Sequence, residues 1–473
     1  RLEDTRHRLK YNLTSMGILP SNTFISKNVV ARDLRSMGFR NFKLHVVDHH
    51  TAHAATAAFT APFDRQLVIT MDGLGDGLSG SVSILHKGKM ERQLEIRARD
   101  SIGIFYEQVT NIVGMRELED EGKVMAMADY SYPFPYEENR LAHFFSVVGT
   151  TITARYGPSA QYDLLKRIAW QMPREQFAYM AQQVLENVLI KFTSNAMDRY
   201  GIGDVSFSGG IFANVKANMR VRGLEQLKHW SVFPHMGDGG IALGAAMQVN
   251  YTINGITSYP FAPYLGNEYG TDETEKMLRK DRSLVIERQN EHQIASHAAE
   301  LIADDNYLLW FQGRMEYGPR ALGNRSILAS PSSEFVKEKL NLYVKRREWY
   351  QPFAPSMLQE DIGRILDYDG KGNDKFMTSA YYVKDEAKDH ARSVVHVDGS
   401  ARPQMVGGEN HLYAELLREM KKRTGYGMVL NTSFNLHGFP IVMTPEDALY
   451  MMKVTKTKYM FINGLFVTNR AGV

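Results

Sequence analysis

The expected fold is mixed α/β in two domains, and three observations predict it. The chain has 473 residues, more than one hydrophobic core usually serves. Short apolar runs alternate with stretches of helical periodicity in both halves. Between the halves, Ser258 to Gly270 (SYPFAPYLGNEYG) gathers two prolines, two glycines and three tyrosines, the composition of an ordered linker. The expected domains are therefore 1–257 and 271–473, joined by 258–270.

Residues 1–40 mix short helical patterns with polar turns. Lys43 to Val47 is strand-like, and a helix follows through Ala52 to Phe59. Gln66 to Asp72 reads as a buried strand, with Ser81 to Leu85 as its hairpin partner across a glycine-rich turn. Ile102 to Ala128 is mostly helical with a loop at Glu119 to Gly122. Phe177 to Arg199 is a long helix, Asp204 to Phe207 a short strand, and Ile241 to Val249 a helix of small residues. In the second half, Leu308 to Gln312 and Met428 to Leu430 are strands, and Ser333 to Leu342 is a helix. Thr444 to Lys453 is a helix with Thr444 as N-cap and Pro445 at its first position.

Composition narrows the chemistry. With no cysteine, disulfides, thiolate zinc sites, iron–sulfur clusters and cysteine nucleophiles are excluded from this chain. Any metal must be held by His, Asp or Glu. A formal charge of +3 does not indicate nucleic acid by bulk electrostatics. The longest apolar runs fall far below the ~18 residues of a membrane span, and no signal peptide is visible, so a cytoplasmic protein is expected. The first residue is Arg1 rather than Met, and an N-terminal segment is expected to precede it.

Asp48-His49-His50-Thr51-Ala52-His53 places His49 and His53 four apart, on one face of a helix, where both imidazoles reach one ion. A helix start with polar caps is the alternative. MDGLGDG (Met71 to Gly77) ends a strand with Asp72, a carboxylate for a metal, and follows it with glycines whose backbone admits a phosphate. The same pattern also makes a hairpin turn. SGGIFAN (Ser208 to Asn214) and HMGDGGIALGAA (His235 to Ala246) are two further glycine-rich loops. The second opens a helix, whose N-terminus favours anions, and carries Asp238. Each also reads as a tight turn.

GRMEYGPRALGNRS (Gly313 to Ser326) fixes three arginines among glycines and a proline. Lys345, Arg346 and Arg347 follow in LNLYVKRREWYQPFAPS. Arg402 lies in VDGSARPQMV, and Asn431, Thr432, Ser433 and Asn435 in VLNTSFNLHGFPIV. Guanidinium forks match phosphate and carboxylate oxygens, and Ser and Asn groups orient a planar amide. The set suits a small doubly anionic substrate with an amide end. Alternatively, KRRE is a solvated helix end and NTSFN a capping turn. Within the opening segment, Arg320 is the expected substrate contact, with Arg314 and Arg325 as braces.

HHTAHA, the MDG loop, SGGIFAN and GDGGIALGAA together resemble the tRNA threonylcarbamoyl-transfer domain, of the actin, sugar-kinase and heat-shock-ATPase superfold. EDEGKVMAMA (Glu119 to Ala128) resembles a segment of its carbamoyltransferase branch. GRMEYGPRALGNRSILASP, KRRE…PFAP, VDGSARPQ and LNTSFN closely resemble the C-terminal, YrdC-like carbamoyladenylate-forming domain of the O-carbamoyltransferases of nodulation-factor and antibiotic biosynthesis. The resemblance runs from about His45 to the C-terminus. It implies an actin-like first domain and a mixed α/β YrdC-like second one. It implies Fe2+ or another divalent metal on His49, His53, Asp72 and Asp238. Nucleotide contacts fall on Gly73, Lys123, Ser208, Gly209, Gly210, Asn214, Gly237 and Gly239. Carbamoyl phosphate and the adenylate fall to Arg320, Lys345, Arg402, Asn431 and Ser433.

The implied chemistry uses ATP with Mg2+. Carbamoyl phosphate and ATP give carbamoyladenylate, whose carbamoyl group passes to an acceptor hydroxyl of a natural product or sugar. A homodimer is a further implication. The alternatives are the same chemistry on a modified nucleobase and a nucleotide-binding member without turnover. Three departures from the family pattern stand out. Gln351 replaces an arginine before PFAP. MAMADY replaces MGLAPYG. No Gly-His-Asp loop or Glu-Glu segment occurs in residues 1–40.

Overall fold

The computed structural model describes residues 23–372 and 374–472. The chain divides into Arg1–Phe261 and Ala262–Val473. Of the N-terminal patterns read from sequence, residues 1–22 lie outside the described residues, and Thr23–Ser36 is a helix. Among the described residues, no helix is long and apolar enough to cross a membrane.

The first unit centres on a five-stranded sheet. Its strands are β1 (Arg65–Gly75), β2 (Leu78–His86), β3 (Lys89–Arg97), β6 (Asp204–Ser208) and β7 (His229–Val232), in the order β3-β2-β1-β6-β7. β4 (Phe145–Val148) and β5 (Thr151–Ala154) form a separate hairpin. β1, β2 and β3 pair antiparallel, whereas β6 runs parallel to β1 and β7 parallel to β6. The helix His49–Thr60 packs on β1 and on the helix Ile241–Asn254. Its run of alanines permits close approach. A Cβ at Gly244 would fall 2.0 Å from the Ala52 carbonyl oxygen, so only glycine lets the two helices meet there.

Two local expectations are corrected. Lys43 to Val47 forms no strand. Strand preference is a fit to a neighbouring pleated surface, and this stretch has none, leaving Val46 exposed. The break in the next helical stretch comes earlier than Glu119. The helix Ile102–Ile112 ends before Gly114, whose φ of +85° does not continue a helix, and helicity resumes at Glu121–Ala128.

The second unit holds an eight-stranded sheet with the order β14-β11-β15-β10-β9-β16-β17-β8. These are β8 (Leu284–Arg288), β9 (Leu308–Phe311), β10 (Arg325–Ala329), β11 (Ala354–Leu358), β14 (Gln404–Val406), β15 (Met428–Ser433), β16 (Tyr459–Ile462) and β17 (Leu465–Asn469). β12 (Tyr381–Tyr382) and β13 (Ser400–Ala401) form a minor pair. Side chains alternate between two cores. Leu309, Phe311, Ile327 and Leu430 face one, and Leu308, Trp310, Leu328 and Val429 face the other, beneath the helices Glu291–Ala303 and His411–Thr424. The helix read over Ser333 to Leu342 is regular only over Glu334–Lys339. It then widens into a π-helical turn, Leu340–Lys345, and ends on Arg346 at φ +52°.

Register is what matters for function. The C-terminal end of β15 pairs antiparallel with the starts of β10 (Ser326 opposite Ser433) and β11 (Ala354 opposite Asn431). β14 starts in parallel beside β11, with Gln404 opposite Ser356. Four separate sequence segments are thus delivered to one end of one sheet.

Gly244→Ala forces the helices His49–Thr60 and Ile241–Asn254 apart and is expected to cost about 1–3 kcal/mol. Chemical denaturation measures it. Gly122→Ala is the control expected to show no loss, since a Cβ added there meets nothing within 4 Å.

Candidate functional site

In the first unit, Asp48 caps the helix His49–Thr60 by accepting from the Thr51 N–H at 3.0 Å. Arg92 holds the Asp48 carboxylate. This cap starts the helix at His49, so His49 and His53 fall on one face. Asp72 arrives from β1 and Asp238 from the short turn before the helix Ile241–Asn254. His49 Nε2 lies 2.5 Å from Asp72 Oδ2 and 3.1 Å from His53 Nε2. Both imidazoles lie 3.6 Å from Asp238 Oδ1.

One donor atom from each of these four residues lies within 4.8 Å of the others. Two imidazoles and two carboxylates suit a divalent first-row ion. Asp72 Oδ1 is buried without a hydrogen-bond partner, a desolvated lone pair of the kind a cation satisfies. Burial alone would push the Asp72 carboxyl up. Its hydrogen bonds with His49 and His53 more than reverse this and bring it to about 2. Asp238 is 73% exposed while His53 is fully buried, so the cluster opens to solvent on the Asp238 side.

The glycine-rich loops shape this centre. Ser208 Oγ pairs with His53 Nδ1 at 3.1 Å. For His53 Nε2 to offer its lone pair, Nδ1 must carry the proton and donate it to Ser208. Gly209, at φ +109°, packs against the Met71 backbone, where a Cβ would fall 2.0 Å from the Met71 oxygen. Gly73 makes room for the Glu107 carboxylate and Gly239 for the His235 ring. Gly210 and Gly237 have open space at their Cβ positions. Asp76 and Gly77 form the hairpin turn, both at positive φ, while Asp72 stays within β1.

Two residues expected at the nucleotide have protein partners. Asn214 caps the helix Val215–Arg222 by accepting from Ala217 N–H at 3.0 Å, and its amide donates to Gln182 at 2.8 Å. Lys123 pairs with Asp120 at 3.1 Å. His50, not singled out from sequence, is fully buried, with Nδ1 3.0 Å from Thr70 Oγ1 and Nε2 3.6 Å from Asp72 Oδ1.

In the second unit, the three arginines of Gly313–Ser326 separate by role. Arg325 is fully buried. It donates to the carbonyls of Gln312 (2.9 Å), Gly313 (3.1 Å) and Asn267 (3.2 Å), and lies 3.5 Å over the Phe311 ring. Arg314 is exposed and donates to the Gly266 carbonyl at 3.1 Å. Arg320 has no hydrogen-bond or ion-pair partner among the described residues, and neither has Arg402. Burial pushes the Arg320 guanidinium down. Burial, then repulsion from Arg320 and Arg347, pushes Arg402 further down, opposed by Asp374. Trp310, buried under the same segment, donates its indole N–H to the Gly323 carbonyl at 2.8 Å.

Arg347 is the third cation, and burial brings it down to about 10. It donates to Asn341 Oδ1 at 2.7 Å and to Gln351 Oε1 at 3.3 Å, and lies 4.4 Å over the Phe353 ring. Gln351 in turn donates to Glu348. The departure before PFAP therefore serves as a bracket for Arg347. Arg346 is exposed, the solvated arginine of the segment.

The remaining predicted residues are internal. Lys345, buried, points its ammonium at Ser433 O (2.6 Å), Ser433 Oγ (3.1 Å), Asn435 O (3.0 Å) and Asn435 Oδ1 (2.7 Å). Asn431 Nδ2 donates to Ala321 O (3.1 Å), Ser356 Oγ (2.9 Å) and Gln404 Oε1 (3.2 Å), while its Oδ1 is buried without a partner. Asp374, missed from sequence, is buried and accepts from Thr378 N–H (2.9 Å) and Ser379 N–H (2.7 Å). No motif marks it, because its role depends on a loop that only folding brings to Arg402.

Comparison with known proteins identifies the family. Residues 16–247 match the family model for the carbamoyltransferase N-terminus and residues 299–469 that for the carbamoyltransferase C-terminus. A Methanocaldococcus jannaschii protein, MJ1058, is 34% identical over 93% of this chain and 76% of its own length. Nodulation protein NolO of Bradyrhizobium diazoefficiens is 30% identical over 90% of this chain and 79% of its own. The 3'-hydroxymethylcephem-O-carbamoyltransferase of Amycolatopsis lactamdurans is 30% identical over 71% of this chain and 62% of its own. The chain belongs to the carbamoyltransferase family and is an enzyme. Among solved structures, T. kodakarensis HypF covers 48% of this chain and 39% of its own, with a TM-score of 0.31 at 17% identity, too slight a likeness to bear on the fold.

Ser208→Ala frees the His53 ring and is expected to weaken binding of Fe2+ or Co2+ by about 10- to 100-fold. Calorimetric titration of the metal into the full chain measures it.

Proposed function

We propose that this enzyme is an ATP-dependent O-carbamoyltransferase that makes carbamoyladenylate from carbamoyl phosphate and ATP. One observation carries the reading: Arg320 and Arg402 repel each other from a partly buried position, and neither has a hydrogen-bond or ion-pair partner among the described residues, with only Asp374 offsetting Arg402 in part. A folded chain tolerates this when an anion completes the site. Carbamoyl phosphate and the ATP phosphates are anions of the right class, and family membership supplies the carbamoyl group.

The residues divide the work. Arg320 and Arg402 bind the phosphate oxygens and stabilise charge as it is displaced. Lys345 holds the Ser433–Asn435 turn. Carbamoyl phosphate is cleaved by water to carbamate and phosphate. A carbamate oxygen then attacks the ATP α-phosphorus, and pyrophosphate leaves. An acceptor hydroxyl attacks the carbonyl carbon of the adenylate, loses its proton, and releases AMP. Under this reading His49, His53, Asp72 and Asp238 hold a divalent ion, which polarises the carbamoyl carbonyl when bound. The order of the first sheet, three antiparallel strands followed by two parallel ones, supports the actin and sugar-kinase superfold for that unit. The cephem O-carbamoyltransferase among the relatives supports a natural-product hydroxyl as acceptor.

The full chain is incubated with ATP, carbamoyl phosphate, Mg2+ and ferrous iron, and pyrophosphate and AMP are assayed. Both products are expected, and absence of both from the metal-loaded protein overturns the reading. Arg320→Ala and Arg402→Ala should each lower pyrophosphate release by about 100-fold or more.

A further inference from the structure

Gly313–Ser326 contains one carboxylate, Glu316, among three arginines. It is 6% exposed, yet forms no ion pair with any of them. Instead its Oε1 accepts the backbone N–H groups of Leu322 (2.7 Å), Asn324 (2.8 Å) and Arg325 (3.1 Å). Several N–H groups converging on one oxygen make a nest, a backbone arrangement that commonly receives phosphate. Here the occupant is the chain's own side chain. The glycine-rich segment therefore does not offer these N–H groups to a ligand. Anion recognition is left to its guanidinium.

The consequence reaches Arg320. The bond from Leu322 to Glu316 closes Tyr317–Ala321 into a short loop. Beyond Arg320, Ala321 O accepts from Asn431 Nδ2 at 3.1 Å, and Leu322 O from Tyr264 Oη at 3.0 Å and Gln404 Nε2 at 2.8 Å. Before it, Gly318 turns at φ +122°, and Pro319 fixes its own φ. Among the described residues the Arg320 guanidinium has no hydrogen bond or ion pair to hold it, so this backbone sets where it sits. On the Ala321–Leu322 side only the Glu316 bond is charge-assisted, and such bonds are about twice as strong as neutral ones.

We propose that Glu316 is a positioning residue for Arg320: its carboxylate is a resident internal anion that shapes the loop before the substrate anion arrives. The proposal rests on the reading of Arg320 as an anion-binding group. Glu316 meets no substrate. It sets where the guanidinium waits. Glutamine at this position keeps an oxygen for the three N–H groups and loses the charge, whereas alanine empties the nest.

The test uses the full chain and measures carbamoyl phosphate affinity by isothermal titration calorimetry, with melting temperature as a check on folding. Glu316→Ala is expected to weaken binding at least about tenfold, the effect of losing charge-assisted hydrogen bonds. Glu316→Gln should fall between alanine and the native residue. Sodium acetate, small enough to enter the emptied nest, should restore Glu316→Ala and leave Arg320→Ala unchanged. A purely structural role predicts no such rescue. Native-like affinity in Glu316→Ala overturns the proposal, as does equal loss in both Glu316 variants without an acetate effect. If the native chain binds no carbamoyl phosphate, or Arg320→Ala binds it normally, the anion-site reading itself falls and takes the proposal with it.

Discussion

Arg320, Arg347 and Arg402 bring three positive charges to one end of the eight-stranded sheet, and burial strips away much of the water that would screen them. Like charges repel more strongly as the local dielectric falls. Only Arg347 is braced, by Asn341, Gln351 and the Phe353 ring. The surroundings can be read as the means of holding the other two in place. Lys345 grips four neutral oxygens of the Ser433–Asn435 turn rather than adding a free charge. Asn431 ties the arginine segment to β11 and β14. Asp374 supplies partial compensation to Arg402 from a buried turn.

The first unit meets the opposite demand. It gathers two carboxylates and three imidazoles, and neighbouring side chains set their orientation. Ser208 fixes the far nitrogen of His53, and Thr70, hydrogen-bonded to Ser81 at 2.8 Å, that of His50. Glycine acts here mainly by omission. Gly73, Gly209 and Gly239 each leave space that a neighbouring carboxylate, backbone or imidazole occupies. Their contribution is close packing of the elements that carry the clustered histidines and aspartates.

Much of this was legible in the sequence. The HxxxH spacing, Asp72 and the loop Asp238 converge because each rests on local rules: a helix face, a buried strand and a helix start, although the strand runs on past Asp72 to Gly75. Arg325 braces the loop as one sequence reading allowed, whereas Arg320, stiffened by Pro319 and the following Ala-Leu-Gly, was read as a substrate contact and has no partner among the described residues. Other roles were not visible. Asn214 has the look of a ligand contact, but a helix N-cap has the same residue preference. Sequence grouped Lys345, Asn431 and Ser433 as substrate contacts, yet could not show that Lys345 bonds Ser433 or that Asn431 bonds Ala321, Ser356 and Gln404. Glu316 escaped notice because a carboxylate among arginines suggests an ion pair, whereas this one binds backbone.

The indole of Trp310 donates to the Gly323 carbonyl, three residues beyond Arg320. Indole emission responds to the strength of that hydrogen bond and to the field around the ring. The chain thus carries an optical probe hydrogen-bonded to the segment that presents its partner-free guanidinium. Replacing Trp170, Trp230 and Trp349 with phenylalanine would leave Trp310 as the sole emitter, and the state of the loop could then be followed in real time without a label.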